Sequence, residues 1–173
     1  MNRTLVLGGA RSGKSAHAEG LLGSGAVRYV ATARRWPGDD DWDARIAAHR
    51  ARRPPSWTTI EDTDPVNVLR EPGPPLLVDD MATWLTGVLD DATAWEAPSP
   101  PPVVGERTAA LVAAVAACPS PLVLVSAEVG LGVVPATRAG RLFRDELGAL
   151  NAALAEACDE VLLLVAGLPL RLK

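Results

Sequence analysis

The feature that most constrains this chain is the segment Gly-Gly-Ala-Arg-Ser-Gly-Lys-Ser at residues 8–15. The segment fits the phosphate-loop pattern G-x-x-x-x-G-K-[ST] and follows a short apolar run at residues 5–7. Its glycines allow the backbone to turn tightly and to direct N–H groups inward, and the N-terminus of the following helix favours anions. The segment therefore predicts a strand, a loop and a helix that together bind a nucleoside triphosphate.

The residue types in this loop also predict how the triphosphate is held. Lys14 is expected to lie against the β- and γ-phosphate oxygens, and the Ser15 hydroxyl to complete the coordination of a Mg²⁺ ion that keeps several waters. Lys14 and Lys173 are the only lysines among 17 basic residues, so composition alone does not explain a lysine at this position. The predicted phosphate-binding residues are Gly8, Gly9, Ala10, Arg11, Ser12, Gly13, Lys14 and Ser15.

Composition narrows the class of protein. The 173 residues, of which 48% are apolar, favour a single domain spanning residues 1–173 with a sizeable core. A net charge of −4 gives no basic field for nucleic acid, so phosphate binding depends on local cations and backbone amides. No run approaches the ~18 apolar residues that span a bilayer, and the chain enters its first strand without a signal-peptide pattern. We therefore expect a cytoplasmic globular protein that binds neither nucleic acid nor a membrane.

Apolar runs alternate with helical patterns along the chain. The strand-like runs lie at residues 4–7, 27–31, 75–78, 122–126 and 161–165, and most of them are apolar almost throughout, as in strands buried on both faces. This alternation predicts an α/β fold with a mostly parallel central sheet flanked by helices. A last segment at residues 168–172 is expected to pair antiparallel with the preceding strand through Ala166 and Gly167.

Two helical patterns carry polar residues. Residues 39–53 predict a polar helix with an acidic N-terminus, and residues 137–158 predict one long helix or two helices broken near Gly148. A further alanine-rich helix is expected after Gly105, and the proline-rich residues 97–102 before it are interpreted as a loop.

An acidic pair follows the strand predicted at residues 75–78. In phosphate-loop proteins a carboxylate at a strand end lies beside the magnesium-bound nucleotide, which makes Asp79 a candidate Mg²⁺ partner. An acidic residue after a strand is also a common helix N-cap, a role open to Asp80. From the sequence, either aspartate could face the cation.

His49 lies among arginines in the predicted polar helix. Helical spacing places Arg45, His49 and Arg53 on one stripe, and Arg50 and Arg52 flank the histidine. A neutral imidazole can attack phosphorus or move protons, and a nucleotide requires nearby cations. The residues alone leave open whether His49 is catalytic or merely exposed.

A glycine-rich segment at residues 126–135 follows an apolar strand and contains Glu128. It is typical either of a tight functional loop or of an ordinary turn before a helix. The next helical region contains Asn151, a polar residue that is unexpected in its apolar neighbourhood.

Four segments carry a family resemblance: G-G-A-R-S-G-K-S at residues 8–15, R-I-A-A-H-R at 45–50, A-E-V-G-L-G-V-V-P at 127–135 and F-R-D-E-L-G-A-L-N at 143–151. Together they closely resemble the bifunctional adenosylcobinamide kinase/adenosylcobinamide-phosphate guanylyltransferase family of cobalamin synthesis, in the same order and with similar spacing over the whole chain. The resemblance implies a P-loop NTPase fold related to RecA, commonly assembled as a homotrimer. It also implies two reactions. ATP or GTP phosphorylates the aminopropanol hydroxyl of adenosylcobinamide, and GTP then delivers GMP to that phosphate with release of pyrophosphate.

The same resemblance implies roles for particular residues. His49 matches the histidine that attacks the α-phosphorus of GTP and carries GMP as a phosphoramidate, and Glu128 and Lys14 complete the implied catalytic set. The chain differs from the usual family pattern at Ala48, Asp80 and Ala127. The further residues implied to line the nucleotide site are Ala31, Thr32, Ala33, Arg50, Arg52, Arg53, Glu61 and Asp79.

Two other functions are compatible with a phosphate loop. One is a small-molecule kinase that performs no nucleotidyl transfer, in which His49 is a surface residue. The other is a regulatory GTP-binding switch, which is disfavoured because the sequence has no Asn-Lys-x-Asp motif for reading guanine.

Overall fold

A computed structural model describes residues 2–34, 50 and 53–173 of the chain. The predicted polar helix at residues 39–53 lies outside the described residues except for Arg50 and Arg53. In chain order the described elements are β1 (Arg3–Gly8), α1 (Lys14–Leu22), β2 (Val27–Ala31), β3 (Trp57–Ile60), α2 (Pro65–Leu69), β4 (Leu76–Asp79), α3 (Met81–Asp91), α4 (Pro102–Ala116), β5 (Leu122–Ala127), α5 (Arg138–Ala157), β6 (Glu160–Val165) and β7 (Leu168–Arg171).

The strands form one seven-stranded sheet in the order β3-β2-β4-β5-β1-β6-β7. All neighbouring strands are parallel except β6 and β7, which pair antiparallel. β1 lies between β5 and β6, and its last residue, Gly8, is in register with Ala127 and Leu164. The predicted α/β fold with a mostly parallel sheet and a C-terminal antiparallel strand is confirmed.

Each face of the sheet has its own apolar cluster, because successive side chains of a strand point to opposite faces. Leu5 and Leu7 of β1 belong to the cluster that contains residues of α3, α4 and α5, whereas Val6 packs with Ala18 of α1. The side chains of Leu5, Val6 and Leu7 are all buried. Burial on both faces explains why this strand is apolar without alternation.

The observed element boundaries confirm most of the predicted elements and correct others. The six predicted strands are present, with ends that differ by at most one residue, but β3 was not predicted. The alanine-rich helix begins at Pro102 rather than after Gly105, because proline at the first helical position lacks an N–H that would have no partner there. Residues 138–157 form one continuous helix, so Gly148 does not break it. No helix of the described residues is both long and apolar enough to cross a bilayer.

The turn between β6 and β7 contacts the phosphate loop. Ala166 and Gly167 both have positive φ angles, 51° and 80°, as a tight two-residue hairpin requires. The Gly167 N–H donates to Ser12 O at 3.0 Å. The side chains of β7 itself are exposed.

Candidate nucleotide-binding site

The phosphate loop is a tight connection between β1 and α1. Arg11 and Gly13 have left-handed φ angles of 57° and 89°. A Cβ atom at Gly8 would lie 2.3 Å from Ser12 Oγ and 3.1 Å from Leu164 O, so glycine allows the start of the loop to pack closely against these groups. No side chain of the described residues caps α1, so the first amides of this helix can serve an anion.

Two neighbouring segments hold this loop through its backbone. Ser12 O accepts from Gly167 N–H, and Gly8 O accepts from Glu128 N–H at 3.1 Å. Ser12 is 8% exposed, and its buried Oγ has no hydrogen-bond partner among the described residues. Residues that follow β5 and β6, the two strands beside β1, therefore hold the phosphate loop in place.

Asp79 lies at the mouth of the phosphate loop. Its Oδ1 is 3.3 Å from Ser15 Oγ, and its Oδ2 accepts a hydrogen bond of 2.6 Å from the hydroxyl of Tyr29. A serine hydroxyl and a carboxylate are hard oxygen ligands of the kind that Mg²⁺ uses together with phosphate oxygens. The residues predicted to hold the cation, Ser15 and Asp79, are thus adjacent and chemically suited to it.

The structure gives the next residue, Asp80, a different role. The Asp80 carboxylate accepts from the backbone N–H of Thr83 at 2.7 Å and from the Thr83 hydroxyl at 2.6 Å, so it caps α3. The carbonyl of Asp80 accepts from the Thr32 hydroxyl at 2.7 Å. Of the two aspartates left open by the sequence, Asp79 contacts the phosphate loop and Asp80 caps a helix.

Tyr29 is a site residue that the sequence analysis missed. It is 2% exposed, and its ring contacts the side chains of Trp57 and Arg53. Burial raises the pKa of Tyr29, and the adjacent Asp79 carboxylate raises that pKa further, so the phenol remains a proton donor. Its position two residues before Ala31 on β2 was the available indication that it lies near the site.

Arg53 is the predicted arginine whose contacts the structure describes most fully. Its guanidinium carbon lies 3.3 Å from the centroid of the Tyr29 ring, and its Nη1 donates to Thr59 Oγ1 at 2.9 Å. Arg50 is exposed. His49 and Arg52 lie outside the described residues.

The remaining predicted residues lie at the carboxyl edge of the sheet. Ala31, Thr32 and Ala33 are at the end of β2, and Glu61 directly follows β3. Glu128 directly follows β5, and its Oε1 accepts from Gly130 N–H at 2.7 Å. The carboxyl ends of parallel strands therefore bring all of these residues to the edge that carries the phosphate loop.

A phosphate loop between β1 and α1, with a carboxylate from the end of the parallel strand β4 beside it, defines a protein of the P-loop NTPase class. Comparison with known families then gives a specific match. The model of the cobinamide kinase / cobinamide phosphate guanyltransferase family matches residues 4–172, and the chain belongs to this family. It is accordingly an enzyme with kinase and nucleotidyltransferase activities of cobalamin biosynthesis, as the resemblance implied.

Individual relatives match over nearly the whole chain. The bifunctional adenosylcobalamin biosynthesis protein CobP of Pseudomonas aeruginosa is 45% identical over 99% of this chain and 97% of its own length. The bifunctional adenosylcobalamin biosynthesis proteins CobU of Escherichia coli and Salmonella typhimurium are 39% and 38% identical, each over 98% of both chains.

Proposed function

We propose that this chain phosphorylates adenosylcobinamide with ATP or GTP and then transfers GMP from GTP to adenosylcobinamide phosphate. The products of the second reaction are adenosylcobinamide-GDP and pyrophosphate. The observation that carries the proposal is the 3.3 Å approach of Ser15 Oγ to Asp79 Oδ1 at the mouth of a phosphate loop, in a chain that matches the family throughout.

In the kinase reaction, the chain positions the triphosphate and offsets its charge. The loop amides and Lys14 bind the phosphate oxygens, while Ser15 and Asp79 hold Mg²⁺. When bound, Mg²⁺ neutralises part of the phosphate charge. Glu128 is oriented by its bond to Gly130 N–H and is joined through its own N–H to Gly8 O, so it can accept the proton of an acceptor hydroxyl at this edge.

In the guanylyl transfer, His49 acts as a nucleophile. A ring nitrogen of His49 forms a bond to the α-phosphorus of GTP, the bond from that phosphorus to the β-phosphate oxygen breaks, and pyrophosphate leaves. A phosphate oxygen of the corrinoid substrate then attacks the same phosphorus, and the phosphorus–nitrogen bond breaks. Arg50, Arg52 and Arg53 offset the charge that develops on the phosphates.

The corrinoid requires more space than one described cleft provides. A cleft of about 280 Å³ next to α3 is lined by Arg34, Thr83, Thr86 and Phe143, among other residues. This volume is at the lower limit for drug-sized ligands, roughly 300–1,000 Å³. We propose that the corrinoid lies across a subunit boundary of a homotrimer.

Exposed apolar side chains are available for contact between copies. Leu131 and Val133 in the segment after Glu128 are 82% and 95% exposed, and Leu168 on β7 is 72% exposed. Exposed apolar groups of this kind mark interaction sites when they form a continuous patch.

We further propose that the chain is a single domain and acts in the cytoplasm.

Covalent labelling with GTP tests the guanylyltransferase assignment. The protein is incubated with Mg²⁺ and GTP labelled at the α-phosphorus, without corrinoid, and then denatured. We expect an acid-labile label in the parent protein and in His17→Ala, which lacks the chain's other histidine, and none in His49→Ala. Label that persists in His49→Ala would contradict the nucleophile assignment. Phosphorylation of adenosylcobinamide by a protein that never becomes labelled would identify a kinase without nucleotidyl transfer.

A further inference from the structure

Tyr29 holds one side of the Asp79 carboxylate. The register of β2 and β4 pairs Tyr29 with Leu77, so Asp79, two residues further along β4, is within reach of a tyrosine side chain on the same face. The Tyr29 hydroxyl donates to Oδ2 at 2.6 Å, and Ser15 Oγ lies 3.3 Å from Oδ1. A hydrogen bond of this length to a carboxylate is among the stronger ones in proteins. Tyr29 therefore leaves Oδ1 directed at the phosphate loop.

The face of the same ring holds Arg53. The guanidinium carbon of Arg53 is 3.3 Å from the ring centroid, and a cation in this position is attracted by the π-face. Nη1 of Arg53 is fixed by Thr59 Oγ1 on β3, and Trp57 of the same strand packs against Tyr29 with the ring centroids 6.3 Å apart. One buried side chain therefore contacts both a carboxylate and an arginine of the candidate nucleotide site.

We propose that Tyr29 is a positioning residue that orients Asp79 toward the phosphate loop through its hydroxyl and supports Arg53 through its ring. The inference rests on the proposed function, because it takes Asp79 as the carboxylate beside Mg²⁺ and Arg53 as an arginine beside the nucleotide. Loss of the hydroxyl allows the carboxylate to rotate away from Ser15. The ring of phenylalanine still supports Arg53, so the two contributions are separable.

Binding of a GTP analogue measures the contribution of the hydroxyl. Guanosine 5′-[α,β-methylene]triphosphate is titrated by calorimetry into the parent protein and Tyr29→Phe, with Mg²⁺ and with EDTA. We expect Tyr29→Phe to weaken binding about tenfold with Mg²⁺ and by less than about twofold with EDTA, since one hydrogen bond to a charged group is lost. The matched control is Trp57→Phe, which changes a neighbour of the ring and is expected to leave the Mg²⁺ dependence unchanged.

A spectroscopic measurement tests the contact without activity. Because Tyr29 is the only tyrosine, labelling tyrosine with ¹³C at Cζ gives one NMR resonance. We expect this resonance to differ between the parent and Asp79→Asn, and to shift further in the parent when the analogue is added with Mg²⁺ than when it is added with EDTA. An identical resonance in the parent and in Asp79→Asn would overturn the inference.

The variants also separate this inference from the proposed function. If Asp79→Asn weakens Mg²⁺-dependent binding and Tyr29→Phe does not, Asp79 keeps its proposed role and the role of Tyr29 is overturned. Equal weakening by Tyr29→Phe with and without Mg²⁺ would also overturn it, since that result indicates general packing. If Asp79→Asn leaves Mg²⁺-dependent binding unchanged, the proposed role of Asp79 fails, and the inference about Tyr29 fails with it.

Discussion

Asn151 on α5 accepts a hydrogen bond of 2.6 Å from Ser126 Oγ on β5, in a position where the two side chains are 5% and 0% exposed. The Asn151 side-chain nitrogen donates to Ala127 O at 3.0 Å. Both contacts fix the end of β5 directly before Glu128, whose N–H donates to Gly8 O. A polar side chain that the sequence marked as unexpected thus joins α5 to the edge of the phosphate loop.

Replacing this asparagine is expected to lower stability. Asn151→Ala removes both bonds and leaves a buried hydroxyl and a carbonyl without their partner, which costs about 1–3 kcal/mol of unfolding free energy. Urea unfolding measures the change. Asn67→Ala, at an exposed position on α2, is the control and should be nearly neutral. A neutral Asn151→Ala would mean that these bonds add nothing net to stability.

Replacing each of the two lysines is expected to affect a different property, ligand binding for Lys14 and stability for Lys173. Lys14→Ala should weaken nucleoside triphosphate binding by tenfold or more, on the order of one lost charge-assisted hydrogen bond, with little change in unfolding free energy. Lys173→Ala should do the reverse, because its Nζ donates to Ala155 O, Glu156 O and Cys158 O at the end of α5. Calorimetric titration and urea unfolding of both variants test this. A Lys14→Ala protein that binds normally would contradict the assignment of the phosphate loop.

Asp80→Ala is expected to act on stability alone. Loss of the cap of α3 should lower the unfolding free energy by about 1 kcal/mol and leave the Mg²⁺ concentration for half-maximal activity unchanged. Asp64→Ala, which removes the cap of α2, is the matched variant in a second helix. A raised Mg²⁺ requirement in Asp80→Ala alone would instead place Asp80 beside the cation.

Asp91 predicts a pH dependence of stability. Hydrogen bonds from Arg34, and secondarily from Arg107, lower the pKa of Asp91 from 3.8 to about 2. A depressed carboxyl pKa stabilises the protein above the unfolded-state value, and that contribution is lost as the pH falls from about 4 to about 2. Asp91→Asn should therefore be less stable than the parent at pH 7, by less than about 1 kcal/mol because the pair is largely exposed. Urea unfolding at pH 7, 4 and 3 should show the difference shrinking, and a constant difference would contradict the ion-pair explanation.

Most of the strands and the phosphate loop could be predicted from the sequence, because each is encoded by one short continuous segment. β1 and the phosphate loop were predictable because their apolar run and glycine spacing describe one continuous segment. Among the strands that the structure describes, β3 is an edge strand of four residues that pairs only with β2, although its sequence Trp-Thr-Thr-Ile has the β-branched and aromatic character of a strand. The start of α4 was missed because prolines at residues 100–102 suggested a loop, while the last of them is the favoured first residue of a helix.

The contacts of the candidate site could not be predicted from the sequence, because they join residues on different strands and helices. The sequence left Asp79 and Asp80 as alternatives, and the structure distinguishes them by contacts with Ser15 in one case and Thr83 in the other. The hydrogen bond between Tyr29 and Asp79 could not be predicted from the sequence of β2 alone, because it arises from the pairing of β2 with β4. Catalytic roles for His49, Lys14 and Glu128 remain predictions.

Because Gly167 N–H donates to Ser12 O, the phosphate loop has all of its backbone contacts only when nearly all of the 173 residues have been synthesised. The phosphate loop is synthesised early, but β1 gains its two neighbouring strands only when residues 122–127 and 160–165 are available. The hairpin turn that completes the loop leaves the ribosome later still. Nucleotide in the cell is therefore expected to stabilise the finished chain and not the nascent one, since a ligand stabilises only the state that contains its site.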